Sequence, residues 1–169
     1  MSNKVSEEFI LQSIHHLEAN NPRIKACLSE LTDAEIWQSS KLNSNSIGNL
    51  VLHLCGNITQ YVISCLGQEP DTRERDLEFS TKGSYSGSEL YNKLSAIVSE
   101  AVNVIRQLSE NNLTHIYSVQ GFNLSGIGII IHVTEHYSYH TGQIVFRTKE
   151  IKNKDMGFYA HIDLNQKNL

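Results

Sequence analysis

Residues 47–66 read IGNLVLHLCGNITQYVISCL, twenty consecutive positions without one charged side chain. Their apolar residues wrap most of the way around a helical wheel, which predicts a helix largely buried in a core. With His53 set at zero on that wheel, Ser46, Asn49, Asn57, Gln60 and Ser64 all fall within ~40° of it, a narrow polar stripe on an apolar rod. A solvent-facing stripe normally carries Lys or Glu. This one carries neither, so it reads as an enclosed or cleft-lining seam.

Upstream, Ile10, Ile14, Leu17, Ile24, Leu28 and Leu31 follow alternating spacings of four and three, with Asn21 in the one polar slot. Pro22 cannot donate to the carbonyl of Glu18, yet the phase is the same on both sides, so one kinked helix is expected. Thr32-Asp33-Ala34-Glu35 opens a short helical turn carrying Trp37, and the Ser- and Asn-rich residues 39–46 form a loop. Downstream, residues 67–88 crowd charges between Arg73 and Glu78 and read as a long solvated connection. A third helix is expected over about 88–108, with Leu90, Leu94, Ile97, Ala101, Val104 and Leu108 on its stripe. Residues 114–123 suit an extended segment or small hairpin about Gln120-Gly121. The last helix is expected over about 125–150, followed by a tail that Phe158 and Tyr159 pin back onto the body. Four long amphipathic segments with almost no strand pattern predict an all-α fold, a four-helix bundle spanning 1–169 as a single domain.

Composition narrows the function. Fourteen Lys and Arg against eighteen Asp and Glu give a net charge of -4, without the basic excess that phosphate neutralisation needs, so nucleic acid is not the expected partner. The longest apolar run, GIGIIIHV at 126–133, is far short of the ~20 residues that span a bilayer, so no membrane partner is expected. The first residues, MSNKVSEEF, have no apolar core after a basic segment, and a cytoplasmic location follows as the expectation. Cys27, Cys55 and Cys65 are odd in number and lack zinc-finger spacing, so they read as buried thiols.

The strongest chemical signal is histidine spacing. His132, His136 and His140 lie at four-residue intervals, so neighbouring rings share a helical face and rise by ~6 Å per step. The ~12 Å from His132 to His140 is too long for one coordination sphere, so two of the three need a partner from another helix. The seam of residues 47–66 offers His53. His15, His16, His115 and His161 read as surface or capping residues, and Glu135 is turned ~100° from His136. Tyr137 and Tyr139 line a pocket or, more in keeping with aromatic residues on helices, pack against neighbours. Cys55 points to nearly the opposite side of its helix from His53.

SNSIGNLVLHLCGNITQYV (44–62) and HVTEHYSYHTGQIVF (132–146) resemble the two metal-site helices of the DinB-like superfamily of four-helix bundles. GQEPDTRERDLEF (67–79) and MGFY (156–159) are similar to an uncharacterised bacterial branch of it. The resemblance implies a divalent metal held by one histidine of the second helix and two of the fourth, here His53, His136 and His140, the last just ahead of Gln143-Ile144. It leaves His132 to orient a ligand or pack in the core. Asn57 and Gln143 become candidates for hydrogen bonds to the ligands or a substrate, and a packing role for Gln143 fits equally.

Three neutral imidazoles leave a divalent ion a free position, an arrangement suited to activating a nucleophile. The first expectation is a metal-dependent enzyme with zinc as first choice and nickel, iron or another divalent ion as alternatives. The resemblance favours a small-molecule thiol such as bacillithiol or mycothiol as substrate, S-transfer over hydrolysis, and a homodimer. The alternatives are a non-catalytic dimeric metal-binding or stress-related protein, and a regulatory scaffold without metal.

Overall fold

A computed structural model of the chain describes residues 4–39 and 44–168. The loop expected at 39–46 therefore lies partly outside the described residues.

Four long helices form the bundle: α1 (Lys4–Glu30), α3 (Ile47–Ile58), α5 (Gly87–Arg106) and α7 (Gly126–Lys152). α1 packs on α5 and α7, and α3 packs on the same two, so α1 and α3 face each other across the core. α1 runs unbroken through Pro22. The odd polar slot in its stripe has a structural reason, because the fully buried Tyr137 of α7 donates its hydroxyl hydrogen to Asn21 Oδ1. α3 continues into wider π-helical turns over Thr59–Leu66, and Tyr61, Val62, Ile63 and Leu66 remain in the core. The charge-free stretch is thus mostly buried from Ile47 to Leu66, as its composition predicts, although Gly56, Thr59, Gln60, Ser64 and Cys65 are only partly covered, so Cys65 is not the buried thiol expected.

Short elements close the ends. α2 (Asp33–Trp37) is capped reciprocally by Thr32 and Glu35. A two-residue turn at Gln120-Gly121, with φ of 51° and 82°, joins β1 (Ile116–Val119) to β2 (Phe122–Ser125) in an antiparallel hairpin. α6 (Glu110–Thr114) precedes it. The tail returns to α1, where Arg23 Nη2 donates to Tyr159 Oη at 2.7 Å, and Phe158 packs on the core.

Three sequence expectations need correction. α5 starts at Gly87, one residue before the expected start near Ser88, because Ser86 and Glu89 form the reciprocal cap. Its buried stripe is also rotated: Val98, Val102 and Ile105 lie in the core beside Leu90, Leu94 and Ala101, while Ile97, Val104 and Leu108 are only partly buried. Residues 67–88 are not a solvated connection throughout. They contain α4 (Arg75–Ser80), whose Glu78 is buried. No helix among the described residues is long and apolar enough to cross a membrane.

Candidate metal centre

The enclosed seam on α3 is real: Ser46, Asn49, His53 and Asn57 are all buried. Ser46 caps α3, accepting from Asn49 N while Asn49 Oδ1 accepts from Ser46 N and Oγ. That start sets the helix phase and aims His53 one turn further along toward α7.

α7 meets it with two rings. His53 Nε2 lies 3.1 Å from His136 Nε2, and His140 Nε2 lies 3.2 Å from the same atom. The three rings present one nitrogen each, all within 4.8 Å of one another, a group that could hold a metal ion. His53 is buried and the two α7 histidines are half-buried.

Proton positions follow from the neighbours. His53 Nδ1 is 2.8 Å from Glu78 Oε2. Burial opposes ionisation of Glu78, but hydrogen bonds from Arg73 and His53 overcome it and hold the carboxyl below its usual range. An ionised carboxylate only accepts, so a proton sits on His53 Nδ1, and in the neutral ring the lone pair is then on Nε2. Arg73 Nη2, 3.3 Å from the same Nδ1, is then a close neighbour rather than a hydrogen-bond partner. His140 Nδ1 faces Gln143 Oε1 at 2.7 Å, which fixes the same tautomer there.

His136 stands between two lone pairs. Burial, then the neighbouring His140 and His53 rings, depress its pKa to about 3, so it is neutral at ordinary pH. A neutral ring carries one hydrogen and can offer it to one neighbour at most, so at least one N···N contact near 3.2 Å has no proton to bridge it. Its Nδ1 is buried without a hydrogen-bond partner among the described residues. A cation would relieve that opposition, and the donor set fits one: nitrogens ~2.0–2.1 Å from a tetrahedral ion sit about 3.3 Å apart, close to the 3.1 and 3.2 Å contacts of His136.

His132 stands outside the cluster. Its Nε2 is 3.3 Å from Asn57 Nδ2, its ring stacks on Tyr61 at 4.5 Å, and it lies 5.5 Å from the His136 ring, so it packs beside the site. Burial lowers its pKa. Asn57 consequently serves His132, not the three-ring cluster, and its Oδ1 is buried without a hydrogen-bond partner among the described residues. Glu135 is exposed and Tyr139 touches the His140 ring only by its edge, at 5.1 Å. His15, His16, His115 and His161 are exposed. Burial pushes the Cys55 thiol up to about 12, and Cys27 is raised for the same reason, so neither is a ready thiolate.

Sequence reasoning missed Glu78 and Arg73. The Arg73 side chain is 3% exposed and is fully engaged: Nε and Nη2 bond the two Glu78 oxygens at 2.6 and 2.9 Å, and Nη1 bonds Gln60 Oε1 at 2.8 Å. The available signal was the uncharged seam itself, which needed polar partners from somewhere.

Comparisons with known proteins agree with this architecture. The fold is similar to a DinB-like protein from Bacillus cereus ATCC 10987, with a TM-score of 0.66, 17% identity, and 85% of this chain and 91% of that one covered. A DinB-like protein from Bacillus subtilis gives a TM-score of 0.67 at 16% identity, covering 88% and 96%. A mutant of a mycothiol-dependent maleylpyruvate isomerase gives 0.64 at 15% identity, covering 80% of this chain and 60% of that one. No curated protein matches in sequence. Residues 4–162 match the family described as a protein of unknown function, DUF1572. With the match running over nearly the whole sequence, the chain belongs to the DUF1572 family and carries the DinB-like fold.

Proposed function

We propose that the protein is a metal-dependent enzyme in which His53, His136 and His140 hold a divalent cation, zinc first and nickel or iron as alternatives. Its proposed substrate is a low-molecular-weight thiol, which loses its S–H proton and forms a new S–C bond to a small electrophile as that electrophile's leaving group departs. The observation that carries the reading is the meeting of three Nε2 atoms, two of them with lone pairs fixed by Glu78 and Gln143. When bound, the cation supplies Lewis acidity that favours the deprotonated form of an entering thiol or water. The chain's own residues do the rest: Glu78 and Gln143 hold two rings in orientation, and Arg73 holds Glu78. His132 and Tyr61 wall the cluster on one side. The thiol class is favoured by the similar fold of the mycothiol-dependent isomerase. A cytoplasmic homodimer belongs to the same reading, and Ile131, Tyr139 and Phe146 expose apolar area on α7 that a second copy could cover.

The test is turnover of mycothiol or bacillithiol with an alkyl or aryl halide by untagged, zinc-loaded protein. Loss of free thiol should depend on metal and disappear in His53→Ala and His140→Ala variants that keep their helical circular dichroism. Equal turnover by metal-free protein contradicts the proposal. Bound metal with no turnover of any thiol favours the non-catalytic alternative.

A further inference from the structure

We infer that Glu78 is a positioning residue for His53, and that the strap carrying it, residues 67–86, is coupled to occupancy of the three-histidine site. The coupling rests on the metal reading above. The positioning does not.

The seam on α3 and the strap match residue by residue. Asn49 Nδ2 donates to the carbonyls of Glu78 and Thr81 at 2.9 Å each and of Phe79 at 3.4 Å. His53 Nδ1 donates to Glu78 Oε2. Gln60 accepts from Arg73 and donates to Asp71 Oδ2 at 2.8 Å, and Ser64 Oγ donates to the Glu69 carbonyl at 2.8 Å. Four of the six seam residues therefore spend their hydrogen bonds on the strap. None of residues 67–86 joins the hydrophobic core, and Leu77 is 54% exposed. The strap is held by polar ties, which makes its opening cheaper than that of the bundle helices. Its one buried carboxylate is also the group that sets the His53 tautomer.

Gly56 shows how closely the two are fitted. A Cβ at that position would stand 1.9 Å from Glu78 Oε1 and 2.9 Å from Arg73 Nε, so only glycine lets the ion pair lie against α3. Glu78 and Gly56 both line a cavity of about 290 Å³ that Leu52, Cys55, Arg73 and Lys93 also border. A carboxylate pushed off α3 has somewhere to go.

Coupling is reciprocal: if a closed strap raises metal affinity by some factor, bound metal favours the closed strap by the same factor. Partners that orient a ligating histidine typically contribute about 10–100-fold in metal affinity, which sets the expected size.

The experiment uses full-length wild type, Glu78→Gln and Gly56→Ala. Glu78→Gln leaves Arg73 buried beside a neutral amide and could unfold the strap for that reason alone. Gly56→Ala keeps both charges and improves helix propensity, so it moves the carboxylate without that complication. Ring ¹⁵N shifts of metal-free protein should show His53 protonated on Nδ1 in wild type and a changed tautomer balance in both variants. Zinc titrated against a chelator should bind about 10–100-fold more weakly to both. Saturating zinc should slow amide exchange across 74–81 by a similar factor in wild type and much less in the variants. An unchanged His53 tautomer in both variants overturns the positioning role. Zinc that binds wild type without slowing strap exchange overturns the coupling and leaves the metal reading standing. Failure of wild type to bind zinc overturns the metal reading and the coupling together, while the ¹⁵N result still decides the positioning role.

Discussion

The Tyr61 ring lies nearly flat on His132, with centroids 4.5 Å apart and planes at 30°, and the same tyrosine donates its hydroxyl hydrogen to Gln120 at the hairpin tip. The π-helical end of α3, the first half of α7 and the hairpin thus meet at Tyr61, beside the three-ring cluster. His132 continues the i, i+4 row of His136 and His140, but its contacts are those of a packing residue.

His132→Ala should consequently leave metal stoichiometry unchanged. Losing the stack and part of the packing should cost about 1–3 kcal/mol in urea unfolding. Metal content that falls with His132 as it does with His136 would make His132 a ligand.

Gln143 is exposed, so Gln143→Ala should not alter stability. It removes the acceptor that fixes the His140 proton on Nδ1. Zinc affinity should fall about 10-fold in a chelator competition, with the melting temperature unmoved. Equal affinity would reduce Gln143 to a surface residue.

Asn49 is a single buried amide that both caps α3 and ties three strap carbonyls. Asn49→Ala removes the donor to the buried Glu78 carbonyl and to the partly buried carbonyls of Phe79 and Thr81, and should cost about 3 kcal/mol by denaturant unfolding. Limited proteolysis of the variant should cut first within 67–86, and cleavage elsewhere would argue against the strap's dependence on it.

The buried helix and its polar stripe were legible because twenty residues without a charge leave few other readings, and the i, i+4 histidines follow from helix geometry alone. Selection of His136 and His140 over His132 came from the resemblance; spacing left both pairs open. The strap was illegible for a physical reason. Arg73 and Glu78 belong to types that are normally exposed, and only their mutual neutralisation, five residues apart and folded against a glycine, makes their burial tolerable. The α5 stripe slipped because Ile97-Val98 and Val104-Ile105 are adjacent apolar pairs that broaden the wheel. The cap at Ser86 was overlooked because the helix start was placed at Ser88.

Acid should loosen the contact between α7 and α2. The side-chain hydrogen bond from Lys152, then that from the Thr32 backbone, hold Glu35 down to about 2 from an ordinary 4.5. A carboxylate whose folded pKa is depressed contributes stability above the unfolded value and loses it as pH falls toward the folded one. The wild type should therefore lose stability between about pH 4.5 and 2 through this pair, and Lys152→Met should flatten that part of the stability profile. Parallel acid profiles for the two proteins would show that solvent screening leaves the pair without effect.

Metal content of untagged protein is the most direct measurement of the site. Elemental analysis after extensive dialysis should give close to one divalent ion per chain for wild type, and close to none for His53→Ala and His140→Ala variants that retain their helical spectrum. A wild type that takes up no divalent ion even after loading with zinc, nickel or iron, or variants that hold as much as wild type, would contradict the three-histidine centre.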